Sequence, residues 1–452
     1  MALLVGPRGG GKSFLSALDT HLISRREPGH GTRILGASKG QAEQIYRALR
    51  RITNNTASEG DFAEILSERA VYRNGSDVEV LAASSRSVRG PHVPSLKLDE
   101  VEEMDPEVRE AALGMCMNMG RHKASVLMTS TWHRLGGPIE DLMGRSRELG
   151  SPLFTYCIFD VLERCPDEIS GPNLENCPTC PLMRWCHADR DALPGSLPKA
   201  KLAGGHYSVA SLLQKSRAIS LRTFEADYLC SGPKADGIWF PGFSTQTHVS
   251  PTAEYDPAWQ VHLAVDSGVF TGAVFFQIIP SRGPADAEEI HVFADYLREN
   301  VPAEQVGREL VGVSERLCQG RLDIQRTDPC GASRNAIGPT VLAEYQRGGL
   351  RRITGWPVGG VIDGLALVDS FLQPADGTNR LFIHPRCEDL IAALQSYRRA
   401  RRGGQWLDHP EDPQHPWEDL VDALRGGLRS AFPEGRQVRP AHTRRVLARQ
   451  AF

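Results

Sequence analysis

One short stretch near the start constrains the fold more than any other feature: Gly6-Pro7-Arg8-Gly9-Gly10-Gly11-Lys12-Ser13. It matches G-x-x-x-x-G-K-[ST], a spacing that lets backbone N–H groups converge on phosphate oxygens. Gly6, Gly9, Gly10 and Gly11 tolerate the dihedrals such a loop needs. Lys12 would reach the outer phosphates, and Ser13 would ligate Mg²⁺. The apolar run Ala2–Val5 in front reads as a strand, and SFLSALDTHLISRR behind reads as a helix. The positive end of that helix would point at the phosphates.

A nucleotide loop needs an acidic pair at a neighbouring strand end, and SLKLDEVEEMD supplies one. Leu96 and Leu98 alternate as in a strand. Asp99 would hold the Mg²⁺ water shell, and Glu100 would polarise the attacking water. The plain alternative is a solvated acidic helix start, since Glu102, Glu103 and Asp105 follow. A third strand, ASVLMTSTWHR, ends in Thr129-Ser130-Thr131, the position where motor ATPases sense the γ-phosphate. TRILGASKGQAEQIYRAL reads as strand, turn and amphipathic helix, and DVEVLAASSRSVRG as a further strand. Strands alternating with helices imply a parallel sheet covered on both faces.

After about residue 255 the pattern changes. WQVHLAVDSGVFTGAVFFQII reads as strand, turn, strand, with Asp266 ending the apolar run. EIHVFADYL adds a strand carrying Asp295, and LDIQRTDPCGAS puts Asp328 at the end of another. PWEDLVDALRGGLRSAF is a helix whose Glu418, Asp419 and Asp422 share a face by their spacing. A hairpin opening with Asp is the entry to a ribonuclease-H-like sheet. Acids at two strand ends and on a later helix can converge on two divalent metals about 4 Å apart, a site for phosphodiester cleavage. An all-oxygen ligand set suits Mg²⁺ or Mn²⁺. Taken singly, each strand-end Asp also reads as a turn former.

Half of the ten cysteines fall between Cys157 and Cys186. Cys165, Cys177, Cys180 and Cys186 follow C-x11-C-x2-C-x5-C, a spacing that can close a tetrahedral S4 site for Zn²⁺. An iron–sulfur cluster is the rival occupant, and four unrelated thiols are the plain reading. Cys157 and His187 are spare ligands. The net charge of −3 excludes a bulk electrostatic attraction to nucleic acid. Contact with DNA would need local patches, such as Arg398, Arg399, Arg401 and Arg402 or the basic tail. No apolar run is long enough to span a bilayer.

Together these motifs resemble the large terminase subunit of tailed bacteriophages. The most specific pieces are RGGGKS, VLAASSRSVRGPHVPSLKLDEVEEMD, VLMTST, AVDSG, TDPCGAS and DLVDALR. The resemblance implies an α/β chain: a P-loop ATPase that translocates DNA, then a ribonuclease-H-like endonuclease. The expected organisation is 1–205 for the motor, with the Cys-rich insertion at about 157–190, and 206–256 for a linker. The nuclease would occupy 257–432 and the basic tail 433–452. The family pattern falls on Lys12, Ser13, Asp99, Glu100 and Thr129–Thr131 in the motor, and on Asp266, Asp328 and Asp422 in the nuclease. Arg8 lies where the family often carries an arginine that contacts the γ-phosphate. Phe224, Glu225 and Tyr228 match the linker.

Implied ligands and partners are ATP, Mg²⁺ or Mn²⁺, double-stranded DNA, the small terminase subunit and the portal protein of the procapsid. A homo-oligomeric ring is expected when docked, with a monomer in solution as the alternative. The implied location is the host cytoplasm, transiently at the portal, with no membrane. Two departures stand out. The family's adenine-contacting glutamine segment does not precede the loop, which predicts weak, poorly selective nucleotide binding and in-frame coding sequence upstream. Asp419 occupies a position where the family often has His. Two other readings remain: a host or mobile-element ATPase-nuclease in DNA processing or repair, and a metal-stapled DNA-binding protein with an inactive loop.

Overall fold

The computed structural model describes all residues except 54–58, 83–87, 89–91, 135–136, 187–196, 233–236, 281–287, 330–338, 403–404 and 434–452. The basic tail, His187, the middle of VLAASSRSVRG and part of TDPCGAS therefore lie outside the described residues. The chain divides into two compact units. The first takes Met1–Pro178, Trp185–Val209 and Thr223–Lys234, and the second takes Thr179–Arg184, Ala210–Arg222 and Ala235–Phe452.

The first unit is built on an eight-stranded sheet. Its strands are β1 (Ala2–Val5), β2 (Gly31–Gly36), β3 (Phe62–Ile65), β4 (Arg69–Tyr72), β5 (Asp77–Val80), β6 (Ser95–Asp99), β7 (Ser125–Ser130) and β8 (Leu153–Thr155). Their order is β3-β4-β5-β2-β6-β7-β1-β8. The run from β5 to β8 is parallel, as the alternation of strands and helices predicts. β3 and β4 extend it as an antiparallel edge that the sequence patterning does not announce. The helix Lys39–Thr53 buries Ile45, Tyr46 and Leu49 against Tyr72, Val78 and Val80. Each such side chain contributes roughly 1.5–3 kcal/mol of burial.

Both faces of β6 are covered, so the alternation in SLKLD does not leave a wet face. All five residues are buried, Lys97 at 1% exposure. Its ammonium is compensated by Asp19 on the helix Lys12–Arg26. A buried cation needs such a partner.

The second unit has a six-stranded sheet ordered β13-β12-β9-β10-β11-β14. The strands are β9 (His262–Asp266), β10 (Phe270–Pro280), β11 (Glu288–Glu299), β12 (Ile324–Thr327), β13 (Thr354–Gly355) and β14 (Leu381–Ile383). β9, β10 and β11 form an antiparallel meander, and β12 adds in parallel on the other side of β9. This is the ribonuclease-H-like sheet expected from the Asp266 hairpin. β10 reads as one apolar run because helices cover both of its faces. Val274 and Phe276 join the core under Val361–Leu372 and Trp417–Ala431, while Ala273 and Phe275 join the core under Ala303–Cys318.

Glycines set the closeness of the last helix to the sheet. A Cβ on Gly427 would meet the Ala264 Cβ at 2.8 Å, and one on Gly272 would meet Asp419 backbone at 2.6 Å. A separate hairpin, β15 (Arg399–Arg402) with β16 (Gln405–Pro410), carries the arginine run. Arg399 is not a phosphate ligand there. It is 3% exposed, pairs with Asp408 at 2.7 Å and lies 4.1 Å over the Trp239 ring. Arg398, Arg401 and Arg402 remain exposed.

Candidate active sites

In the first unit the glycine-rich loop joins β1 to the helix Lys12–Arg26, with Gly9 at φ 72° and Gly11 at φ 86°. Glycine relieves the strain of those dihedrals. Gly6 and Gly9 are tight for a further reason. A Cβ would strike the Tyr156 ring at 2.3 Å and the Tyr207 ring at 2.6 Å, respectively. The Tyr156 hydroxyl donates to the Gly10 carbonyl at 2.8 Å, and His206 Nε2 lies 3.0 Å from the Gly9 carbonyl. These three braces come from distant sequence and carry no motif.

Lys12 Nζ donates to the carbonyls of Gly6 (3.2 Å) and Pro7 (3.1 Å) and to Thr131 Oγ1 (2.9 Å). It stands 3.6 Å from Glu100 Oε1. Ser13 Oγ donates to Asp99 Oδ2 at 2.8 Å, and Thr129 Oγ1 donates to Asp99 Oδ1 at 2.5 Å. Ser130 Oγ reaches Glu100 Oε2 at 3.5 Å. The hydroxyl run therefore contacts Asp99, Glu100 and Lys12 in turn. Asp99 is 2% exposed, and burial raises its pKa against the opposing hydrogen bonds from Thr129 and Ser13. Glu100 sits at φ 51°, a left-handed conformation that costs energy for a residue with a Cβ. The oxygen donors of Ser13 and Asp99 fit a hard dication such as Mg²⁺. A cavity of about 620 Å³ opens between Arg8, Ser13, Gln41, Asp99, Glu100 and His133.

Arg8 does not turn toward Glu100. Its backbone N–H donates to the Asp227 carbonyl at 2.8 Å, and its Nε lies 3.1 Å from Asp227 Oδ2. Burial raises the Asp227 pKa, and the guanidinium of Arg8 opposes it. Asp227 is a residue that sequence reading missed, because it sits inside the expected linker, 219 positions from its partner (227 − 8).

In the second unit Asp266 ends β9, opposite Gly272 on β10. The Asp328 N–H donates to the Val265 carbonyl at 3.2 Å, which holds Asp328 beside it. Asp422 projects from the last helix. Asp266 is pushed well above the usual carboxylate range by burial, then by the charges of Asp422, Asp328 and Asp419. Convergence of four like charges is the chemistry of a divalent-cation site, and the donors fit Mg²⁺ or Mn²⁺. Two further contacts bear on the ligand set. Arg425 grips Asp422 through Nε and Nη2 at 2.6 and 2.7 Å. His415 Nδ1 lies 2.9 Å from both Glu418 Oε1 and Asp419 Oδ2. His415 was not foreseen, although its spacing of four from Asp419 was readable. Its ring stacks on Phe270 at 5.2 Å. Among the described residues, these three form the one group whose ligand atoms all lie within 4.8 Å of one another. Asp295 stands apart from the cluster: its carboxylate accepts from the Leu390 N–H at 2.9 Å, at the start of the helix Glu388–Ser396.

Among the described residues, the four cysteines are not drawn into such a group. Cys165 and Cys186 meet the same residue: the Cys165 N–H donates to the Ala200 carbonyl at 2.8 Å, and the Ala200 N–H points at Cys186 Sγ at 3.4 Å. Cys177 opens a short 3₁₀ turn, and the Cys180 carbonyl accepts from Met183.

A phosphate loop, acidic pair and hydroxyl strand on one sheet define a P-loop NTPase unit, and the second unit defines a ribonuclease-H-like fold. Solved structures with this arrangement are those of the large terminase from a thermophilic bacteriophage. One crystal form superimposes with a TM-score of 0.55 at 13% identity, covering 95% of this chain and 93% of that one. The complex of the same terminase with ADP gives 0.53 at 12%, covering 95% and 94%. Its complex with ATP-γ-S gives 0.50 at 12%, with coverage of 95% and 94%. The chain has the large terminase fold. No protein-family model and no curated protein matches it.

Proposed function

We propose that this chain is the motor subunit of viral DNA packaging. It hydrolyses ATP to drive double-stranded DNA into a procapsid and cuts concatemeric DNA at a second, metal-dependent site. The observation that carries this reading is the meeting of Lys12, Ser13, Asp99 and Glu100 on a P-loop sheet, in one chain with the Asp266, Asp328 and Asp422 cluster. The thermophilic phage terminase, of the same fold, has been crystallised with ADP and with ATP-γ-S. A small terminase subunit and a portal protein are the partners this reading entails.

In the motor, the Lys12 ammonium exchanges its loop carbonyls for phosphate oxygens. Ser13 and Asp99 would hold Mg²⁺, which neutralises charge on the phosphates when bound. Glu100, steadied by Ser130, orients water and accepts its proton. In the nuclease, Asp266, Asp328 and Asp422 would hold the divalent cations, with Asp419 beside them. Those cations activate water and stabilise the leaving oxygen. The chain's own part is to bury and aim four carboxylates so that only a cation relieves their repulsion. Zn²⁺ held by Cys165, Cys177, Cys180 and Cys186 would staple the segment between β8 and the second unit.

Lys12→Ala and Glu100→Gln should each cut ATP turnover by about 100-fold or more while sparing metal-dependent plasmid cleavage. Asp266→Asn should do the reverse. Loss of both activities in every variant, or of neither, would overturn the two-site reading.

A further inference from the structure

The phosphate loop opens on a second cavity, of about 490 Å³, whose far wall is the helix Lys39–Thr53. Its lining joins Gly9–Ser13 and Phe14 to Gln44, Arg47 and Arg51. That size lies within the range of small-ligand pockets. The spacing of three and four puts Gln44, Arg47 and Arg51 on one helical face, and all three are exposed. Phe14 follows the Mg²⁺-ligating serine directly, and half of its surface is exposed.

From this geometry we infer that the cavity is the base subsite of the nucleotide, with Phe14 as its stacking platform and Gln44 as its reader. The inference rests on the ATPase reading above, because Lys12 and Ser13 fix the phosphate end of the same cavity. It supplies from the helix Lys39–Thr53 the base contacts that the sequence did not show ahead of the loop. An aromatic face stacks on any base and gives affinity without selectivity. Selectivity must come from the polar wall. Guanidinium groups only donate, so Arg47 and Arg51 suit the O6 and N7 acceptors of guanine and the phosphates. The amide of Gln44 both donates and accepts, which matches N7 and the exocyclic amine of adenine. Arg47 is held in place by Glu43 at 2.8 Å. The subsite is thus one that favours adenine through a single amide and tolerates guanine through two arginines.

Titration of the full chain with ATP, GTP and inorganic tripolyphosphate in Mg²⁺ tests this. Phe14→Ala should weaken ATP and GTP binding about tenfold and leave tripolyphosphate binding unchanged. Phe14→Leu, which keeps the bulk and loses the aromatic face, should lie between. Gln44→Ala should lower the ATP-to-GTP affinity ratio several-fold while Phe14→Ala leaves the ratio alone. Equal weakening of tripolyphosphate by Phe14→Ala, or an unchanged ratio in Gln44→Ala, would overturn the subsite. Lys12→Ala should weaken all three ligands. If it weakens none, the phosphate-loop reading itself fails, a result distinct from failure of the base subsite.

Discussion

Gly272→Ala is a one-methyl test of how the last helix aims its carboxylates. The added Cβ would sit 2.6 Å from both the carbonyl carbon and the oxygen of Asp419 and 2.8 Å from the Leu420 nitrogen. All three are backbone atoms, so no side chain can swing aside. Ordinary contact begins at 3.4 Å, and the helix must retreat by about 0.8 Å (3.4 − 2.6) to accept the methyl. Gly272 has an ordinary φ, so the substitution adds no backbone strain. Overpacking of this kind costs about 1–3 kcal/mol. A catalytic group displaced by about 1 Å costs on the order of 100-fold in rate. Asp419 and Asp422 ride on the displaced segment, whereas Asp266 and Asp328 stay on the sheet. Plasmid cleavage in Mg²⁺ should therefore fall by about 100-fold, with a modest drop in the unfolding midpoint and an unaltered ATPase rate. Gly312→Ala is the control. It lies mid-helix, and a Cβ there meets only the end of the flexible Arg316 side chain at 3.5 Å, so cleavage should be unaltered. Cleavage at the wild-type rate by Gly272→Ala, with the protein folded, would refute the claim that this contact positions the ligand set.

On the last helix, Asp422→Asn should abolish cleavage. Arg425→Gln, which frees the Asp422 carboxylate, should tighten Mn²⁺ binding measured by titration; if Asp419→Asn is the more damaging variant, the ligand ranking is reversed. Asp295 is raised to about 6 by burial, the Leu390 N–H opposing. A raised folded-state value means that its stabilisation is complete below about pH 4 and is lost as pH climbs through 6. Asp295→Asn should flatten that part of the stability curve, worth up to about 3 kcal/mol in chemical denaturation at pH 7 relative to pH 4. Elemental analysis of anaerobically purified protein should find one zinc per chain, lost in Cys177→Ala and on acidification. Iron with sulfide would replace zinc by a cluster, and neither metal, with titratable thiols, would remove the site.

The parts of the fold that were legible share one property: their information is contiguous. The phosphate loop, the Asp99–Glu100 pair and Thr129–Thr131 each lie on a single strand end, where the parallel order of β6, β7 and β1 brings them together without further instruction. Lys97 and Arg399 misled because what buries them is remote in sequence or local but hidden. Lys97 finds Asp19 across 78 positions. Arg399 sits in a run that looks solvated, yet alternation in β15 turns it onto Trp239 while Arg398 and Arg402 face out. The edge hairpin β3–β4 has short strands with little apolar content, so periodicity had too few residues to act on.

Asp419 and Asp422 mark the limit more sharply. A spacing of three puts both on one helical face, so no pattern argument can rank them as ligands. What separates them in the structure is local after all: His415 stands four residues before Asp419, and Arg425 three residues after Asp422. An imidazole and a guanidinium pull on these carboxylates in opposite chemical senses. Neutral imidazole can join a cation's ligand shell, whereas guanidinium can only compete with the cation for the carboxylate. Which carboxylate Asp266 faces more closely is then decided by how near the helix approaches β10. That distance is set by the absent side chain of Gly272, a residue whose importance is invisible until the backbone it touches is known.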